Sequence, residues 1–321
     1  MIRKIWLIAS NAFIETIRQP VFCLIIFIAA YIIGFSPCFA MFTMLENVKL
    51  VQDMGLASMM LAGLALAVFS AYNVITLEIE KKTVLTLMAK PVGRLEFILG
   101  KYLGIAAGLG VAMYLLMVVL VLTIRLGVPE AAYTQLDYPA LVAELVAVGV
   151  TILLGVAANY FFDKPFTSSA VLFGLVVFSI CFLGVAFINS QWRLQPFFAR
   201  MSGQTVVACG LLLMAVWVLA AAAVAVATRA NFGLSLFVCT MLFLLGLVSD
   251  YLFGRYAESS VLARVAYAAS PNLQVFWMAD ALDVKKAIPL SYVCRVGGYA
   301  GGYAAALILL AMGLFQRREI S

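Results

Sequence analysis

Eight stretches of this chain are each long and apolar enough to cross a bilayer, and that repetition restricts the fold more than any motif. The candidate spans run over 21–44, 55–77, 99–124, 141–162, 167–189, 205–228, 232–254 and 289–315. About 20 apolar residues in a helix cross the roughly 30 Å of hydrocarbon. Lipid offers the backbone no hydrogen bonds, so a span is either a helix or part of a closed barrel. Barrel strands alternate with period 2, and these long runs do not. Of the 321 residues, 65% are hydrophobic and 11% charged, far from the balance of soluble domains. The expected fold is therefore all-α: one polytopic transmembrane helical bundle over 1–321, with about eight spans and six to eight allowed.

The segment before the first span is different. Ile2, Ile5, Trp6, Ala9, Phe13 and Ile17 share one helical stripe, with Arg3, Asn11, Glu15 and Arg18 largely opposite. Residues 1–18 thus read as an amphipathic helix lying in the membrane interface, ended by Pro20. SPCFA (Ser36 to Ala40) ends in small residues like a leader cleavage site. The apolar run before it is about twenty residues long, which fits a retained helix better. Short turns at Asp163–Pro165 and Thr228–Asn231 make the fourth and fifth spans, and the sixth and seventh, helical hairpins. Residues 255–288 form a loop with two expected short helices, Val261 to Ala269 and Leu273 to Leu282, broken at Pro271 and Asn272.

The net charge of +6 does not point to nucleic acid, because the basic residues sit at the ends of apolar runs. Eight spans put both termini on one side, with twelve Lys and Arg against nine on the other. The positive-inside rule then places the termini in the cytoplasm, as the clustering around the first three spans also indicates. Membrane lipid is an expected partner. Six scattered cysteines without a CxxC pair, and no histidine, give no His- or Cys-based metal site. No carboxylate pair or serine–histidine set suggests an intramembrane enzyme.

Water-exposed chemistry concentrates in EIEKKTVLTLMAKPVGRLEFILGK, Glu78 to Lys101, which carries eight charges between two apolar runs. Within it Val84, Leu85, Leu87 and Met88 form one apolar helical face, with Lys81, Lys82 and Lys90 toward the other. Pro91 and Gly93 stop that short helix, and Arg94 begins the next. Such a surface helix either seats in a groove on a soluble protein or simply ties two spans together.

Glu80, Thr83, Leu85 with Leu87, Pro91 with Val92, Gly93, Arg94, and Gly100 with Lys101 stand in an order and spacing that resembles one known pattern. It is the first cytoplasmic loop of permease subunits of ABC-2 type ABC transporters. Lys82 departs from it, since many such proteins have Gly there. SPNLQVF (Ser270 to Phe276) and the tail FQRRE (Phe315 to Glu319) add to the resemblance. The family usually has six spans, so the hairpin at 141–189 looks like an addition. The resemblance implies that 79–94 is a coupling helix docking on an ABC ATP-binding subunit. Its contacts would be Glu80, Lys82, Thr83, Leu87, Met88, Lys90, Pro91 and Arg94. It further implies a dimer with a second permease copy or paralogue, export as the activity, and a bacterial inner membrane as the setting. ATP and magnesium would belong to the partner, with no cofactor and no catalysis in this chain. Consistently, GRLEFILGKY (Gly93 to Tyr102) has six residues between its glycines and Tyr after Lys, so it is not a phosphate loop.

Two small-residue patterns speak to helix packing. Gly100, Gly104 and Gly108 line the third span, and Gly297, Gly298, Gly301 and Gly302 line the last. Such stripes let backbones approach closely, within one chain or between two. Two other functional classes stay open beside the ABC reading: an ATP-independent carrier, and a membrane scaffold that transmits force without moving a solute. The scarcity of ionisable residues within the spans weakens the first.

Overall fold

The computed structural model describes residues 2–40, 47–80, 93–127, 136–198, 201–256, 260–283 and 287–316. Among these the protein is a helical bundle, and the only β-type pairing is an isolated bridge between Ile188 and Leu194. The helices are α1 (Ile2–Arg18), α2 (Pro20–Ala40), α3 (Asn47–Ala71) and α4 (Arg94–Leu126). They continue as α5 (Tyr138–Phe162), α6 (Phe166–Ala186), α7 (Gly203–Ala227), α8 (Phe232–Leu252), α9 (Val261–Ala269), α10 (Ala279–Asp283) and α11 (Leu290–Gln316). The rod of α3 carries on through a π-helical turn, Tyr72–Thr76, into Leu77–Glu80. Among the described residues eight helices are long and apolar enough to cross a membrane, so this is an integral membrane protein.

Three helices make the core. The most apolar stretches of α3, α4 and α7 are 67%, 72% and 67% buried, against 17–33% for the other five spans. Glycines permit their close approach. A Cβ at Gly55 would meet Leu120 Cδ1 at 2.2 Å, and one at Gly63 would meet Val216 Cγ2 at 2.3 Å. Polar groups then fix the register of α4 on α7: Trp217 Nε1 donates to the Ala106 carbonyl at 3.0 Å, and Tyr102 Oη to the Trp217 carbonyl at 3.3 Å. In lipid, such packing and hydrogen bonding replace the hydrophobic drive between helices.

The remaining spans are a shell. Val296, Ala300, Ala304, Ile308, Ala311 and Phe315 form the buried stripe of α11, which packs chiefly on α7. The α5–α6 hairpin lies at the periphery, against α2 and α4, with Leu145, Leu153, Val156 and Phe162 exposed as lipid-facing side chains would be. At its far end Arg125 ties three helices. Its Nε bonds Asp137 Oδ2 at 3.0 Å, and its terminal nitrogens donate to the carbonyls of Val185 and Ile188.

Two expectations need adjusting. The second and third spans run longer than their apolar cores, because α3 begins at Asn47 and α4 at Arg94. The single helix expected over Leu273 to Leu282 is instead a 3-10 turn, Gln274–Phe276, followed by the short α10. Packing overrides propensity there. Leu273 donates its N–H to the Gly246 carbonyl at 3.0 Å, and Leu273 and Phe276 are both buried. Gly246 permits the insertion, since a Cβ would lie 2.6 Å from the Pro271 carbonyl oxygen.

Candidate partner-docking end of the bundle

One end of the bundle collects α1, the end of α3, the start of α4 and the end of α11. Phe315 stacks on Phe97 at 5.8 Å, and Arg229 in the α7–α8 turn donates to the Leu314 carbonyl. The loop singled out in the sequence leaves and re-enters the bundle here. Lys82, Thr83, Leu87, Met88, Lys90 and Pro91 fall outside the described residues. Glu80 is the last residue of the α3 rod, and Arg94 the first of α4, exposed to solvent. Gly93 caps α4: its N–H donates to Glu96 Oε2 at 3.0 Å, and its carbonyl accepts from Phe97 N. Glycine has no side chain to reciprocate, so only the Glu96 half of a capping box is present.

An ion cluster joins three helices between the described ends of that segment. Lys101 Nζ of α4 is 2.7 Å from Glu78 Oε1 at the end of the α3 rod and 3.3 Å from Glu15 Oε2 of α1. The lysine is 2% exposed, and its ammonium lies 5.8 Å from the Phe97 ring centre. Burying a charge is costly unless it is paired, and two carboxylates meet that need here. Sequence reasoning placed Lys101 in a loop motif and missed its burial. The available signal was its position, one residue beyond Gly100 and inside an apolar run.

The glycine line on α4 explains how α1 reaches this cluster. A Cβ at Gly100 would sit 2.8 Å from Ile8, one at Gly104 2.4 Å from the Ala9 carbonyl oxygen, and one at Gly108 2.9 Å from Thr16. Gly100, Gly104 and Gly108 therefore form a trough in which α1 lies lengthwise, burying Ala9, Ala12, Thr16 and Ile17. Trp6 and Leu7 stay exposed, as an interfacial helix requires. The α11 glycines behave differently. Gly297 faces Met214, whereas Gly298, Gly301 and Gly302 have open space where a Cβ would stand.

Just above the cluster sits the π turn. Asn73 Nδ2 donates to the Phe69 carbonyl at 2.8 Å and to Gln19 Oε1 at 3.1 Å, and Thr76 Oγ1 donates to the Ala227 carbonyl at 2.9 Å. One extra residue per turn redirects the helix just before it enters the loop, a feature common at functional sites. No group of three or more metal-ligating side chains occurs among the described residues. No protein-family model matches the sequence, and no curated protein matches it closely enough to name a relative.

Proposed function

We propose that this chain is the membrane-spanning permease subunit of an ABC-2 type transporter, working with a separate ABC ATP-binding subunit. The observation that carries the reading is the attachment of the charged loop. It joins two of the three core spans, α3 and α4, and Lys101 locks their ends together and to α1. A push on the loop therefore moves the core rather than one peripheral helix. The π turn at Tyr72–Thr76 supplies the local compliance.

In this reading the loop faces the cytoplasm of a bacterial inner membrane, and residues 79–94 are the coupling helix. Leu87, Met88 and Thr83 form its seat, with Glu80, Lys82, Lys90 and Arg94 around it and Pro91 ending it. ATP and magnesium bind the partner, and the hydrolysis is the partner's. A second copy or paralogue completes the pore, and the open face of α11 at Gly298, Gly301 and Gly302 suits close approach of another helix. Export is the direction implied by the resemblance. The test is co-purification of the ATP-binding subunit. Leu87→Ala with Met88→Ala should release it while membrane insertion and monodispersity stay intact; retention of the subunit by the double variant would sink the proposal.

A further inference from the structure

Two cavities of contrasting lining share a wall where α1 breaks into α2. One, about 420 Å³, lies among α2, α4, α5 and α6, with walls of hydrocarbon from residues such as Phe27, Leu115, Val119 and Phe178. The other, about 450 Å³, mixes apolar wall from Ile14 and Pro20 with the polar side chains of Asn11, Glu15, Arg18, Gln19 and Glu78. Pro20 belongs to the wall of both. Each volume falls within the range of about 300–1,000 Å³ typical of small-molecule sites. A ligand filling both is amphipathic, and the bilayer itself supplies such molecules.

The polar cleft says more about the headgroup. Glu15 and Glu78 share Lys101, and Arg18 brings the formal charge of the four to zero. Gln19 Oε1 accepts from Asn73 Nδ2, whose orientation the Phe69 carbonyl fixes. The other half of that amide, Gln19 Nε2, is buried without a hydrogen-bond partner among the described residues. An orphaned buried donor beside an arginine suits a phosphate oxygen. The adjacent carboxylate of Glu15 suits an ammonium group.

We propose that the two cavities form one binding site for a phospholipid whose headgroup carries both a phosphate and a primary amine. An acyl chain occupies the hydrocarbon cavity. The phosphate meets Arg18 and Gln19 Nε2, and the ammonium lies beside Glu15. A glycerol headgroup would bring the phosphate without the cation that Glu15 attracts, and a choline has no N–H to donate. The inference stands on the cavities and does not depend on the transporter reading.

The test is native mass spectrometry of the full chain, released from detergent and titrated with phosphatidylethanolamine, phosphatidylglycerol and phosphatidylcholine of one acyl composition. The ethanolamine lipid should bind about fivefold or more tightly than the other two, and glycerophosphoethanolamine, the headgroup alone, should not bind detectably. Gly174→Leu projects into the hydrocarbon cavity beside Thr151 and Leu115 and should weaken binding about tenfold. Gly184→Leu, where a Cβ meets open space on the same helix, should bind like the unmodified chain. Arg18→Gln should weaken binding of all three lipids alike, since each carries the phosphate, whereas Glu15→Gln should abolish the preference for ethanolamine. On the unmodified protein, shortening the acyl chains should weaken binding progressively, which keeps the proposal testable if Gly174→Leu fails to fold. Equal binding of all three lipids, independence of chain length, or wild-type binding by Gly174→Leu would each reduce the site to ordinary annular lipid and overturn the proposal.

Discussion

Lys101 shows how much one residue decides in a bundle of hydrocarbon. Its ammonium is nearly sealed from water, and its partners come from sequence positions 86 and 23 residues away. Removing one member of a buried ion pair leaves uncompensated charge, at about 3–5 kcal/mol. Glu15 is about a third exposed, so water screens part of that loss. Lys101→Met should therefore destabilise the protein by about 2–3 kcal/mol in detergent thermal unfolding. Adding Glu78→Gln to Lys101→Met should recover part of that loss. Equal or greater destabilisation in the double variant would show that the cluster is not held by charge. The sequence shows Lys101 and Glu78 only as charges at span ends, which hydropathy reads as loop. The position of Lys101 inside an apolar run hinted at burial, but its partners were illegible, because they depend on α1 folding back over α4, a long-range contact that no local pattern records. Gly100, Gly104 and Gly108 were legible as a packing line, but the identity of the helix in the trough was not.

At the scale of elements, the length and apolarity of the spans were the most legible property of the chain. All eight expected spans coincide with long helices, differing at their described ends by up to eight residues, as at Asn47 against the expected 55. Helix continuation through polar residues such as Asn47, Gln52 and Asp53 was not legible, since backbone hydrogen bonding does not stop where hydropathy does. The contact between α1 and α4 gives a direct prediction. Gly104→Leu places a side chain where the Ala9 carbonyl and Ala12 already stand, and overpacking of this kind costs about 1–3 kcal/mol or displaces a helix. Limited proteolysis should then cut within the first 18 residues, which the unmodified chain protects; unaltered protection would contradict the tight fit. The segment after α9 is anchored by Asn272 and Tyr267, both bonded to Asp250 Oδ1, at 2.9 Å and 2.6 Å. Donating to that carboxylate raises the Tyr267 phenol above its ordinary value of 10.0. A raised folded value means the contribution is complete below about pH 10 and is lost as pH climbs through the elevated value. Tyr267→Phe should remove this alkaline-sensitive step, seen as unchanged protection of 260–276, relative to the intrinsic exchange rate, between pH 9 and pH 11.

For the whole molecule, α4 organises both ends. Lys101 and Arg125 are buried cations 24 residues apart, which at 1.5 Å per residue is about 36 Å, close to the thickness of a bilayer core. One ties α4 to α1 and the α3 rod, the other to the α5–α6 hairpin. The loop beside the first of these is the proposed handle for an ATP-driven partner, and the open α11 face the proposed seat for a second copy. Gly301→Cys should cross-link to its own copy with a short bismaleimide in native membranes, while cysteine introduced at Gly297, which faces Met214, should not. Absence of any Gly301→Cys product would move the dimer contact elsewhere. Isolation of the intact complex from native membranes under mild detergent, with identification of every chain, tests the permease reading. A permease subunit should bring down a stoichiometric partner bearing a phosphate loop, with ATP hydrolysis that responds to this chain. A chain that isolates alone and moves solute in vesicles without nucleotide would contradict it.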